Sequence, residues 1–422
     1  MYSYLRSCIV TSKRNALTCP PPAFRAQLGF ATTSVVRRNH PRRTTPQRCR
    51  LSQPRRRLFT SVLPAVLLPP VVFVGLALTL WFYKCCMMVL FQDKIIYMPS
   101  VPPFSRQQKI QDYEQLCRPV VWTEERIRSL DGTDIALCVG KAGAVGRDDA
   151  AVVEETGKRK KVVILYFQGN ASSLPPRLPD LSRVLTSLSS TNTTTCNPEE
   201  NRPEYSIVAL SYRGFWTSRG RVSQKGIERD ALAALAWITA SPFHAPGKDV
   251  QLILWGQSIG AGVAATAAAA YLQNAIQNVP STSQPAPNFL ALILETPFVS
   301  IRDMLAALYP QRWLPYRYLH PFLWNHWDTE SALRTIRAVA AESLPEVLLL
   351  PAAKDEVVPP DQADRLLAIC GEVGLEVRRV DVAGALHTEA MAKREGRDAV
   401  VGFVRGVVGR VDVGKGMLGS ME

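Results

Sequence analysis

The first 57 residues contain no aspartate or glutamate, although they hold thirteen of the 50 arginines and lysines of this 422-residue chain. That absence relocates the formal charge of +14. Beyond residue 57 the chain carries 37 basic against 36 acidic residues, so the folded part is nearly neutral. A basic groove for nucleic acid needs positive charge clustered on the folded domain, and here it sits in a tail. Nucleic acid is therefore not an expected partner. Cysteine patterning is also lacking. Five of the nine cysteines precede residue 87, and Cys117, Cys138, Cys196 and Cys370 are too scattered for metal-type spacing. Neither a zinc site nor a disulfide framework is expected, and no cofactor or metal is called for. No internal repeat is visible.

Charge of either sign is missing from residues 58–83, which end in Trp81-Phe82-Tyr83 before Lys84. At about 1.5 Å rise per residue such a run is long enough to cross roughly 30 Å of hydrocarbon. Its aromatic end suits the membrane–water boundary. Pro64, Pro69 and Pro70 are tolerated in membrane helices. The run lies too far from the N-terminus for a cleaved secretory signal. A transmembrane segment over 58–91 is expected, with the lipid bilayer as partner. The tail over 1–57 is Arg-rich, Ser/Thr-rich and acid-free, and is expected to be disordered. Two readings of it stand: a mitochondrial presequence, slightly preferred, or the cytosolic side of an endoplasmic reticulum signal anchor. The sequon Asn192-Thr-Thr194 would matter only in the second.

Residues 94–415 read as one α/β domain. Asp131-Gly132 separates two strand-like runs, a hairpin signal. Continuous apolar runs at 161–167, 206–212, 250–255, 290–294, 346–350 and 375–382 predict six further strands. Helical patterns at 227–238, 261–275, 362–369 and 388–408 lie between and after them. Strands apolar on both faces, alternating with helices, imply a mostly parallel sheet covered on both sides. The aromatic, proline-punctuated stretch within 299–340 breaks this rhythm and predicts a cap over the C-terminal edge of the sheet.

The third of these runs leads into Gly256-Gln-Ser-Ile-Gly260. Strand, sharp turn and helix in that order would hold the Ser258 hydroxyl out at the top of the sheet. Gly256 and Gly260 leave room for the turn. The helix start presents N–H groups to a developing negative charge. Ser258 needs a base. Of the five histidines, His387 alone follows the last strand and precedes the last helix. The base needs an orienting acid at an intervening strand end, and Asp355 stands there with Glu356 as its rival. An oxyanion hole would combine the backbone N–H of Ile259 with that of Asn170. Gln168 and Gly169 shape the second loop. Chain order Ser258, Asp355, His387 is that of the alpha/beta hydrolases.

These residues carry a family likeness. The stretch from about 94 to 410 resembles the membrane-anchored serine hydrolases related to alpha/beta-hydrolase domain-containing protein 13. Gln168-Gly-Asn-Ala171 looks like that family's His-Gly-Asn-Ala loop, with glutamine replacing histidine. Ser211-Tyr-Arg-Gly214 with Ser218 and Gly220, Gly256-Gln-Ser-Ile-Gly260, Glu295–Met304, Trp327-Asp328 and Lys354–Pro359 resemble further family segments. The Ala385-Leu-His387 loop is looser than the family's Gly-x-His. The likeness implies an alpha/beta-hydrolase fold, a membrane anchor and a serine hydrolase acting on an acyl substrate, a lipid ester or an acylated protein. Peptidase or amidase activity, or a scaffold that has lost turnover, remain the alternatives.

Overall fold

Every apolar run read as a strand contains one in the computed structural model, which describes residues 67–142, 160–190, 203–240, 250–277, 288–340 and 344–418. The basic tail, the start of the apolar run and the sequon lie outside the described residues. The chain divides into two units, Met1–Leu80 and Trp81–Glu422.

Helix α1, Leu68–Leu90, is long and apolar enough to cross a membrane, and none of its residues is buried. A short helix α2, Gln92–Tyr97, follows. The hairpin consists of β1 (Val120–Arg128) and β2 (Asp134–Ala142), antiparallel about Gly132 with φ +80°. Then come β3 (Lys161–Phe167), α3 (Leu178–Ser189), β4 (Glu204–Ser211), α4 (Gln224–Ala240), β5 (Val250–Gln257) and α5 (Ile259–Gln277). The order continues with β6 (Asn288–Glu295), α6 (Ile301–Leu308), α7 (Thr329–Val339), β7 (Glu346–Leu350), α8 (Asp361–Val373), β8 (Val377–Arg379) and α9 (Arg394–Leu418).

The eight strands form one sheet in the order β1-β2-β4-β3-β5-β6-β7-β8. It is antiparallel at β1/β2 and β2/β4 and parallel elsewhere. Alternate residues of each central strand feed two cores. Val163, Leu165, Leu252 and Leu254 pack with residues of α4, α5, α7 and α8, whereas Val162, Ile164, Ile253 and Trp255 pack with those of α3 and α9. Period-two alternation with apolar side chains on both faces is why these strands read as unbroken apolar runs. The expected fold class is the observed one: a mostly parallel sheet with helices on both faces, preceded by an apolar helix.

Boundaries differ at the C-terminal edge. The expected strand over 375–382 pairs only at Val377–Arg379, and Val382 adds an isolated bridge to Ala352. The last helix begins at Arg394 rather than 388. The chain between is turn, because there it carries His387 over the sheet edge. Within 299–340, α7 packs against α5 as one of the covering helices, so the irregular chain is confined to about 309–328.

Arg213 fastens the hairpin to this body. It is buried and donates to Asp230 of α4, to Asp131 and to the Ser129 hydroxyl. Hydrogen bonding to Arg213 holds the Asp131 carboxyl well below the usual range. A Cβ at Gly226 would lie 2.4 Å from the Arg213 side chain, so glycine makes room for it.

Candidate active site

Ser258 joins β5 to α5 with φ +54°, in the left-handed region that side chains rarely occupy. The turn is tight enough to require both flanking glycines. A Cβ on Gly256 would lie 2.0 Å from the Gly260 carbonyl oxygen, and one on Gly260 would lie 2.2 Å from that of Phe167. The Ser258 N–H donates to the Glu295 carbonyl at 2.8 Å, and the Ala261 N–H donates to the Ser258 carbonyl at 2.8 Å. Backbone strain of this kind persists where surrounding bonds over-determine it.

The structure brings Ser258, Asp355 and His387 together. The Ser258 Oγ lies 2.8 Å from His387 Nε2, and His387 Nδ1 lies 2.8 Å from Asp355 Oδ2. With the proton on Nδ1, the ring donates to the carboxylate and leaves Nε2 to accept from the serine hydroxyl. Asp355 Oδ1 accepts the N–H groups of Val357 and Val358 at 2.9 and 2.8 Å, which fixes the carboxylate. The rival acid takes a different task. Glu356 accepts the main-chain N–H of His387 at 3.0 Å and holds the loop rather than the ring. His387 is 3 % and Ser258 8 % exposed, so the pair is shielded from bulk water.

Opposite the serine runs 168–172. Gly169 approaches it closely; a Cβ there would lie 3.6 Å from the Ser258 Cβ. Ala171 and Ser172 both have positive φ, +59° and +61°. Their N–H groups are spoken for, by the carbonyls of Tyr97 at 2.8 Å and Val101. The N–H groups of Asn170 and Ile259 have no hydrogen-bond partner among the described residues. The Asn170 side chain donates to the Ile96 carbonyl at 3.4 Å, and the Tyr212 hydroxyl donates to that of Gln168 at 2.8 Å. The Gln168 amide itself is buried, and neither of its polar atoms has a partner among the described residues.

The braces at Ile96, Tyr97 and Val101 went unread in the sequence. They lie some 70 residues from the loop they hold, and spacing carries no sign of the connection. Tyr97 is fully buried; its hydroxyl donates to Asn325 Oδ1 and accepts from Trp327 Nε1, each at 2.8 Å. A buried network also runs beneath the serine turn. Glu295 accepts from Trp255 Nε1 and Gln257 Nε2, each at 3.0 Å, and Gln257 Oε1 accepts from the Tyr166 hydroxyl at 3.2 Å. Burial pushes the Glu295 carboxyl up to about 7, against the opposing pull of Arg177 and of the Trp255 and Gln257 bonds.

No protein-family model matches the chain. Several curated relatives are similar to it, three of them as follows. Protein bem46 of Schizosaccharomyces pombe is 30 % identical over 224 residues, covering 53 % of this chain and 61 % of that protein. Alpha/beta hydrolase domain-containing protein WAV2 of Arabidopsis thaliana is 27 % identical over 317 residues, covering 72 % and 83 %. Lysophosphatidylserine lipase ABHD12 of Danio rerio is 33 % identical over 216 residues, covering 50 % and 48 %. The match thus spans less than two thirds of the fission yeast and zebrafish proteins. Among solved structures, an alpha-beta hydrolase from Vibrio vulnificus superposes with a TM-score of 0.50 at 16 % identity, over 76 % of this chain and 92 % of that one. The sheet order and the Vibrio vulnificus likeness define the alpha/beta-hydrolase fold. The chain is an alpha/beta-hydrolase-fold protein, similar to hydrolase-domain proteins of fungi, plants and vertebrates.

Proposed function

We propose that the protein is a membrane-anchored serine hydrolase that cleaves acyl esters or thioesters through Ser258, His387 and Asp355. The observation that carries this reading is the unbroken relay of two 2.8 Å contacts from Ser258 Oγ through His387 to Asp355. Ser258 Oγ attacks the acyl carbon while its proton passes to His387 Nε2. Asp355 stabilises the imidazolium and keeps it oriented. The tetrahedral oxyanion is held by the N–H groups of Asn170 and Ile259, at the start of α5. His387 returns its proton to the leaving oxygen or sulfur as the bond to the acyl carbon breaks. A water then gives its proton to Nε2, attacks the acyl-enzyme and frees the acid, and His387 hands the proton back to Ser258. No step in this sequence calls for a cofactor.

Helix α1 and the uncharged run before it anchor the enzyme in a bilayer, and the basic tail fits a mitochondrial or an endoplasmic reticulum destination. The zebrafish relative is named as a lysophosphatidylserine lipase. That name and the aromatic cap favour a lipid acyl ester as substrate here. The test is hydrolysis by the purified full chain of p-nitrophenyl esters and lysophospholipids of increasing chain length. Rates rising with chain length are expected. Equal rates for all chain lengths, or cleavage of peptides without esters, would contradict the reading.

A further inference from the structure

The cap has a second feature that the hydrolytic reading leaves unused. Residues 308–324 contain Tyr309, Trp313, Tyr316, Tyr318, Phe322 and Trp324, together with Arg312 and Arg317, and no acidic residue. Four of the six aromatic side chains are turned outward, whereas Tyr309 is half-buried and Tyr316 buried. Trp313 is 78 %, Phe322 60 % and Tyr318 53 % exposed. Such exposure normally belongs to a surface that something covers. The segment is nonetheless held in place. The Tyr318 hydroxyl donates to the Arg312 carbonyl and Arg317 Nη1 to the Pro310 carbonyl, each at 2.8 Å, and the rings of Tyr309 and Tyr316 lie 5.2 Å apart. The aromatic display is therefore a fixed shape.

Its neighbours say what covers it. Lys84, the first charge after the apolar run, places its Nζ 5.1 Å from the centre of the Tyr316 ring. Gln92 donates to the Phe322 carbonyl and accepts from the Trp324 N–H, both at 3.0 Å, and Asp93 accepts from Trp324 Nε1 at 3.0 Å. The aromatic segment is thus bonded to the stretch where the chain leaves its apolar run. Trp and Tyr with Arg are the residues of the membrane–water boundary, where aromatic rings sit among headgroups and guanidinium groups meet phosphate.

We propose that the outer face of 308–324 is a membrane-contacting surface that lies in the headgroup layer of the bilayer holding α1. The cap is then a second point of attachment, and the enzyme meets its substrate from the lipid side. This rests on the reading that α1 spans the bilayer, and the experiment separates the two.

The full chain is reconstituted in phosphatidylcholine vesicles with and without phosphatidylserine. The vesicles carry a phosphatidylcholine with a diazirine near the glycerol end of its acyl chain. After photolysis, labelled peptides are mapped by mass spectrometry. Label on both α1 and 308–324 is expected. The double variant Trp313→Ser/Phe322→Ser, which changes only exposed side chains, should lose label on 308–324 severalfold and keep it on α1. Its melting temperature should match the parent's. Label on α1 alone would overturn the proposal and leave the patch to a protein partner. So would undiminished label on 308–324 in the double variant. Absence of label on α1 as well would overturn the membrane-span reading and this proposal with it.

Discussion

The carbonyl of Tyr97, at the end of the helix that follows the apolar run, accepts a hydrogen bond of 2.8 Å from the N–H of Ala171, beside the candidate oxyanion loop. With the Ile96 and Val101 carbonyls it ties that loop to the chain that follows the apolar helix. The Tyr97 side chain locks this segment to Asn325 and Trp327. Tyr97→Phe keeps the ring and removes both hydroxyl bonds, leaving a buried indole N–H without its partner. Loss of about 1–3 kcal/mol of stability is expected. If the segment positions the oxyanion loop, kcat falls more than KM rises, because the oxyanion forms only on the way to the tetrahedral intermediate. Thermal melting in detergent and steady-state kinetics with one ester substrate check both.

Asp355 and Glu356 divide their work between the ring and the main chain of His387, so their substitutions should separate. Asp355→Asn keeps an oxygen for the Val357 and Val358 N–H groups and turns an amide toward Nδ1. The ring then takes the wrong tautomer, and kcat should fall by about 10³–10⁴-fold. Glu356→Ala removes one acceptor from the His387 N–H and should cost less than about tenfold, by the usual worth of a single hydrogen bond. Equal losses in the two variants would contradict the assignment.

Gly260 lies under the carbonyls of Phe167 and Gln168, neither of which can move without disturbing β3 and the loop after it. Gly260→Ala is expected to destabilise the fold by about 1–3 kcal/mol or more, as overpacking does, and to abolish turnover. At Gly262 an added Cβ would come no nearer than 3.0 Å, to the Trp327 Cβ, so Gly262→Ala should be the milder change. Melting curves of both variants make the comparison.

Burial pushes the Glu295 carboxyl up to about 7, with Arg177 and the Trp255 and Gln257 bonds pulling down and Asp180 pushing further up. Its ordinary value is 4.5. Between 4.5 and 7 the folded state holds a proton that the unfolded chain has released. Stability from this group is therefore complete below 4.5 and is lost as pH rises through 7. At 1.36 kcal/mol per pKa unit the span is on the order of 3 kcal/mol. Glu295→Gln, which cannot ionise, should flatten that part of the melting-temperature profile between about pH 4.5 and 7. A variant profile as steep as the parent's would assign the dependence elsewhere.

Much of this was legible in the chain. The apolar runs at 161–167 and 346–350 coincide with β3 and β7 because strands buried on both faces admit no polar alternation. Gly256-Gln-Ser-Ile-Gly260 announced its turn because only glycine fits where a Cβ would meet a carbonyl at 2.0–2.2 Å. The choice of His387 followed from chain order. What stayed hidden depends on contacts distant in sequence. Glu295 reads as the end of an apolar run, and its place under the serine turn appears only when β5 and β6 pair. Tyr97 reads as one more aromatic after the apolar run. The 375–382 run was read too long because its edge position, with pairing on one side only, is a property of the sheet rather than of the run.

The central claim is an activated serine, and labelling by a fluorophosphonate probe tests it most directly. The full chain, in membranes, is compared with Ser258→Ala and His387→Ala, all three shown to be folded by melting. The account predicts labelling of the parent chain and none of either variant. A folded, membrane-inserted parent that does not label, or a Ser258→Ala variant that still does, would contradict it.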